Sequence, residues 1–204
     1  MFVTRDPDWR ADVARVGGSH PVLKELSLWA IWVYRFGRRT DRRPEGIIKR
    51  ILTVWYFFLF RCAEIVTGIS ILKDCTIGPG IRIYHFGCVF IHNDAIIGSH
   101  CTLRQGVTIG GLSESSGVPT VGDNVEFGAF AQVLGPVIIG NGCRIGTLCV
   151  VVSDVPDGGS VLPPLGRVMA GGRSAGAPKA ASPKEPVLDT SLAAARKSPI
   201  AASN

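Results

Sequence analysis

The chain has 204 residues, 46% of them apolar and 19% charged, with 25 glycines and a net charge of +6. That length suits one domain with appendages, and the apolar share excludes wholesale disorder. A charged share below the ~25% of ordinary soluble domains, together with abundant Gly, argues against a helical bundle.

The charge is uneven: +5 over residues 1–70, −2 over 71–172 and +3 over 173–204. A nucleic-acid binder concentrates positive charge on its folded domain, so the acidic middle excludes nucleic acid as a partner. Met1–Gly18 is mixed and charged with no apolar core, and no secretory signal is expected. Residues 22–36 and 46–68 read as helices rich in Trp29, Trp32, Tyr34, Trp55 and Tyr56, the first opened by Ser19-His20-Pro21. The longest apolar run, Ile51–Phe60, is about half the ~20 residues needed to cross a bilayer. Two readings of it stand: a buried or trimer-facing helix, or a helix on the inner membrane leaflet. In the second, Arg35, Arg38, Arg39, Arg42, Arg43, Lys49 and Arg50 supply interfacial charge.

From Ile65 the sequence repeats every six residues, as in ILKDCT, IGPGIR, IGSHCT and IGNGCR. The first position is aliphatic or Phe, the second often Gly, the fifth small or β-branched. This predicts a mostly β fold: a parallel β-helix of triangular section whose first and fifth positions point inward, three units to a coil and four to five coils in all. Cys75, Cys101, Cys143 and Cys149 share the fifth position with Val107, Val125, Ala131 and Val137, and read as small core fillers. Cys62 and Cys88 fall outside that register. Neither a disulfide framework nor a zinc pair fits these spacings, which points to a reducing compartment.

Gly111–Thr120 interrupts the repeat as a protruding loop, and beyond Val152 the pattern is lost. Residues 1–64 therefore form an N-terminal helical segment, 65–172 the repeat domain, and the Ala/Pro/Ser/Lys-rich 173–204 a disordered tail. The helices would cover the open end of the β-helix and hide its unpaired edge.

Four histidines are present, His20, His85, His92 and His100. His85 replaces turn chemistry inside a repeat (IYHFGC), while His92 and His100 lie near outward corners. Each reads as a solvated corner residue unless another feature singles it out. A zinc site would need His85, His92 and His100 to converge across a subunit boundary.

The stretch Ile77–Gly111, including IYHFGC and QGVTIGG, resembles the catalytic stretch of serine acetyltransferases and their relatives in polysaccharide gene clusters, and the likeness continues through Val121–Val152. The resemblance implies a left-handed β-helix, a homotrimer with sites between subunits, and acetyl-CoA as donor, with no metal. It implies His85 as the general base, since imidazole can take the proton of an attacking hydroxyl. It places Tyr84, Phe86 and Gln105 beside the acceptor, CoA against Gly128, Ala129, Arg144 and Thr147, and Arg167 near its phosphates.

The chain also departs from that pattern. Tyr84 stands where the family has Asp, Ser70 where it has the acid partner of the histidine, and Gly117-Val118 where it has an Arg-His pair. Without those charges a free amino acid lacks partners, so the expected acceptor is a sugar hydroxyl in exopolysaccharide synthesis. Serine O-acetylation and a non-catalytic trimeric scaffold are the alternatives. The expected location is cytoplasmic, with peripheral contact at the inner membrane surface through the N-terminal helices.

Overall fold

The computed structural model describes residues 6–113 and 115–163; Arg167 and the tail expected from residue 173 lie outside them. Among the described residues fourteen short strands form three parallel sheets, the faces of a prism. Face A holds β1 (Ile69–Ile71), β4 (Val89–Ile91), β7 (Thr108–Gly110), β10 (Gln132–Leu134) and β13 (Val150–Val151). Face B holds β2 (Thr76–Ile77), β5 (Ile96–Ile97), β8 (Thr120–Val121) and β11 (Ile138–Ile139). Face C holds β3 (Arg82–Tyr84), β6 (Thr102–Arg104), β9 (Glu126–Phe127), β12 (Arg144–Ile145) and β14 (Ser160–Val161). The parallel β-helix of hexapeptide repeats is therefore present, with five coils along faces A and C.

Two inward side chains per side fill the prism. Ile83, Leu103, Phe127 and Ile145 stack up face C, and Ile81, Cys101, Val125 and Cys143 up the corner before it, all buried. The four fifth-position cysteines are buried as expected. Burial pushes the Cys75 thiol up to about 12, so it stays protonated and acts as an apolar filler. The recurrent second-position glycines leave room for the next coil. A Cβ on Gly98 would lie 2.4 Å from Asp123 Oδ1. That carboxylate instead accepts the Ser99 N–H at 2.6 Å and continues a ladder through Asn141 to Asp157.

The register departs from expectation in two places. Ile69 sits beside Val89 but Phe90 beside Thr108, so the first coil is two residues longer than the second. The extra residues fall in the corner His85–Cys88. Val89 is thus an inward corner residue and Ile91 takes the strand position, a swap invisible in sequence because both are aliphatic. The coil also continues past Val152: Val155 bridges Ile139, and β14 pairs with β12.

Four helices precede the coils: α1 (Pro7–Val16), α2 (Pro21–Lys24), α3 (Ser27–Asp41) and α4 (Ile47–Thr67). The helix expected over 22–36 is broken at Glu25–Leu26, where Trp29 Nε1 donates to the Val22 carbonyl (2.7 Å) and folds α2 back on α3. Helix α1 was not anticipated, although Asp6-Pro7 is a helix start: Asp6 accepts the Asp8 N–H at 3.0 Å and Pro7 opens the first turn.

The helices close the open end of the β-helix through side chains that bond the unpaired edge of its first coil. Tyr56 Oη accepts the Lys73 N–H, and Tyr34 Oη donates to the Cys75 carbonyl and accepts the Ile77 N–H. Arg35 donates to the carbonyls of Ile77 and Gly78, Asp12 accepts the N–H groups of Gly80 and Ile81, and Ser27 donates to the Ile83 carbonyl. Arg35 and Asp12 also pair with each other at 2.9 Å, both buried. Arg35 is therefore a structural group and not an interfacial charge, because its fork matches a carboxylate and two carbonyls at once.

Removing one partner of such a pair costs about 3–5 kcal/mol, because the other charge stays buried. Asp12→Ala should lose about that much in urea unfolding, with two amides orphaned as well. A loss below about 1 kcal/mol would show that the edge is not held there.

Candidate functional site

His85 stands at the corner where face C passes to face A. Its φ is 62°, and Gly87 and Cys88 follow at 109° and 54°. Each non-glycine residue in the left-handed region costs about 1–2 kcal/mol, so the surroundings must hold this corner. Two supports do so. The Gly106 N–H donates to the Gly87 carbonyl (3.1 Å) from the coil above, and the Val89 N–H donates to the Gly68 carbonyl (3.2 Å). Gly68 is the left-handed C-cap of α4, and a Cβ there would lie 3.1 Å from Gly87 Cα. The end of α4 thus butts against the corner that carries His85.

The His85 side chain is exposed and has no hydrogen-bond or ion-pair partner among the described residues, and Phe86 beside it is exposed too. Ser70 is half-exposed on β1 in register with Phe90 and makes no hydrogen bond to His85 among those residues. It does not orient the imidazole. Gln105 lies at the same corner one coil up, and its Oε1 is buried with no hydrogen-bond partner. A buried acceptor without a donor is costly, and this oxygen is closed to solvent as the side chain stands.

Tyr84 precedes His85 on the outer side of β3. The Arg82 guanidinium lies 4.0 Å from its ring centroid and the Arg104 guanidinium 5.6 Å, the latter from the coil above, in direct register with Tyr84. Tyr84 is thus an aromatic ring flanked by two cations, and the local charge beside His85 is positive.

Along face C runs a cleft of about 500 Å³ whose lining includes Arg15, Tyr84, Arg104, Gly128, Arg144 and Thr147. Of the donor-binding residues expected from sequence, Gly128, Arg144 and Thr147 meet there, with Ala129 next in the chain. Gly128 is required by close approach: a Cβ would lie 2.5 Å from the Thr147 N. Arg144 is exposed, with Glu126 3.7 Å away. The cleft is a shallow cationic trough suited to phosphates and a pantetheine arm.

Arg15, Arg82 and Arg104 were not anticipated as site residues. Arg82 and Arg104 stand at outward repeat positions on the same face, and this column was readable once the twenty-residue first coil is known. Arg15 needed α1; it donates to the Gly80 carbonyl (3.0 Å) and to Thr102 Oγ1 (2.9 Å).

The other histidines are elsewhere. His92 opens the corner between faces A and B, where its Nδ1 accepts the Asp94 N–H at 3.2 Å. His100, with φ 59°, stands at the corner between faces B and C, and its ring covers Gly80. His85, His92 and His100 thus occupy three different corners and do not converge within one chain. The loop after β7 leaves the same corner as His92, and Gly117 packs there against Pro136. Loop and His85 of one chain are therefore apart.

Comparison with known proteins agrees with the fold. The family described as bacterial transferase hexapeptide (six repeats) matches residues 119–153. A serine acetyltransferase of Synechococcus elongatus is 38% identical over 175 residues, 83% of this chain and 69% of that protein. One from Helicobacter pylori (strain J99) is 36% identical over 135 residues, 65% and 75% of the two chains. Among solved structures, Neisseria gonorrhoeae serine acetyltransferase in complex with serine matches with a TM-score of 0.63 and 27% identity, over 76% of this chain and 65% of that one. The soybean serine acetyltransferase apoenzyme gives 0.67 and 26%, over 81% and 71%. The chain therefore spans about two thirds of the length of several of these relatives. Nothing in these matches supports the expected likeness to polysaccharide-cluster proteins. On its repeat pattern, its prism and its aligned relatives, the chain belongs to the serine acetyltransferase family of hexapeptide-repeat transferases.

Proposed function

We propose that the protein transfers an acetyl group from acetyl-CoA to the hydroxyl of serine, with His85 as the general base. The relatives favour serine over the sugar acceptor first expected, and the observation that carries the reading is the unpartnered His85, held in a left-handed corner beside a cationic cleft. In the reaction His85 takes the serine Oγ proton as the oxygen bonds to the thioester carbonyl carbon. The negative charge that develops on the carbonyl oxygen needs donors. The N–H groups of Gly87 and Cys88, with no acceptor among the described residues, are assigned to it. When the C–S bond breaks, the imidazolium returns its proton to the CoA thiolate.

The acceptor's own charges find partners that the family pattern does not supply. Arg82 and Arg104, around Tyr84 and one residue from His85, offer positive charge to the serine carboxylate. Gln105, one coil above His85 at the same corner, reaches the ammonium with its amide oxygen once its side chain turns outward. Arg144, Thr147 and Gly128 are left to the donor. Phe86, Phe130 and Leu148, all exposed along the His85 corner, give an apolar seam on which a neighbouring subunit of a homotrimer would close the site.

His85→Asn keeps a residue that tolerates the left-handed region and removes the base. Its kcat should fall about 10²–10⁴-fold with acetyl-CoA binding retained. Full turnover by the folded variant would place the chemistry on another residue. Arg104→Ala should raise the KM for serine about tenfold, with kcat changed less, as expected for losing one charge-assisted contact. A raised KM for acetyl-CoA at an unchanged serine KM would instead assign Arg104 to the donor's phosphates.

A further inference from the structure

The cap that closes the β-helix leaves one face of α4 unused. Tyr56, Phe60, Ala63 and Thr67 turn inward and are buried. At the helical advance of 100° per residue, the opposite side carries an arc of about 160° with no charged residue on it. Val54, Trp55, Phe58 and Ile65 on that arc are 70%, 55%, 59% and 83% exposed, and Ile47, Ile48, Ile51 and Val66 are exposed with them. The arc runs the length of the helix. It continues into an apolar groove of about 360 Å³ between α3 and α4, lined by Val22, Trp29, Trp32, Leu59 and Val66 among others, beside the exposed Leu23 of α2. Isolated apolar side chains at a surface are ordinary, but an unbroken face of this size marks an interaction site.

The charges around it say what kind of surface it meets. Arg50 and Arg61 border one edge of the arc, Lys24 stands by the groove, and exposed Arg42 stands before the N-terminal end, where Arg43 is half-exposed. Arg61 has a carboxylate on it, Glu64 at 2.7 Å, whereas Lys24, Arg42 and Arg50 make no ion pair among the described residues. A second copy laid antiparallel on this face would bring like charges together along the same edge. An anionic bilayer instead offers headgroups to the cations and acyl chains to the apolar arc at a single depth. No helix among the described residues is long and apolar enough to cross a membrane, so the contact lies in the plane of the surface.

We propose that α4, with the groove it shares with α3, docks the protein on an anionic lipid surface, its outer arc in the headgroup–acyl boundary and its basic border among the headgroups. The docked face is opposite the side of α4 that packs on the fold through Tyr56, Phe60, Ala63 and Thr67. The inference does not depend on which acceptor the enzyme uses.

The test is co-sedimentation of the full-length protein with vesicles of phosphatidylglycerol and phosphatidylcholine, with pure phosphatidylcholine vesicles alongside. Expected is binding to the anionic vesicles that weakens at about 0.5 M salt, where charge attraction is screened to a few ångström. The variant Val54→Glu/Phe58→Glu alters two exposed side chains and should keep its far-UV circular dichroism and its CoA-releasing activity. Its vesicle affinity should drop at least about tenfold. Absence of binding by the wild-type protein, or equal binding by a folded double variant, overturns the proposal. So does light scattering in which wild-type protein has twice the mass of the double variant and ignores vesicles, which assigns the face to a second copy.

Discussion

The first coil of a β-helix ends in a row of backbone N–H and C=O groups with no coil beneath it, and the rest of this structure follows from how they are satisfied. A buried polar group left unpaired costs about as much as a whole favourable contact elsewhere, so the edge must be paired or wetted. Here Tyr56, Tyr34, Arg35, Asp12 and Ser27 pair it from three different helices. The arrangement fixes where α1, α3 and α4 sit. It buries the Asp12–Arg35 ion pair, and burial pushes the Asp12 carboxyl above its ordinary range against the pull of the guanidinium. Such a pair adds little net stability over apolar packing but tolerates few alternative arrangements, which suits a lock between cap and coil.

That placement reaches the site and the surface alike. Because α4 ends at Gly68 against Gly87, the helix supports the strained corner on which His85 is displayed. Because α4 packs inward through Tyr56 and Phe60, its other side is left for a partner. One helix thus links the His85 corner to the proposed membrane contact.

The period of six made the prism legible, since each side accepts two inward residues and the sequence supplies aliphatic and small ones in step. His85 stood out for the same reason, as a departure from a regular unit. What stayed hidden were matters of register and of distant pairing. Val89 and Ile91 are both aliphatic and both inward, so nothing in their chemistry located the two extra residues at His85–Cys88. Arg35 reads as a solvated helix charge until Asp12, on a helix not foreseen, is placed beside it. The Arg82–Tyr84–Arg104 stack joins successive coils, and only the longer first coil brings its members together. The absence of the family's charges at Tyr84 and Gly117-Val118 therefore read as loss of the amino-acid acceptor. Around Tyr84 the structure supplies other charges, those of Arg82 and Arg104.

The central claim is that this rearranged site still serves serine, and purified wild-type protein tests it most directly. With acetyl-CoA held constant, free CoA thiol is followed over time with L-serine, with free sugars and with no acceptor. The account predicts release driven by L-serine well above both other arms, with a KM in the usual range of about 1 μM–1 mM. Release driven by a sugar and not by serine would contradict it.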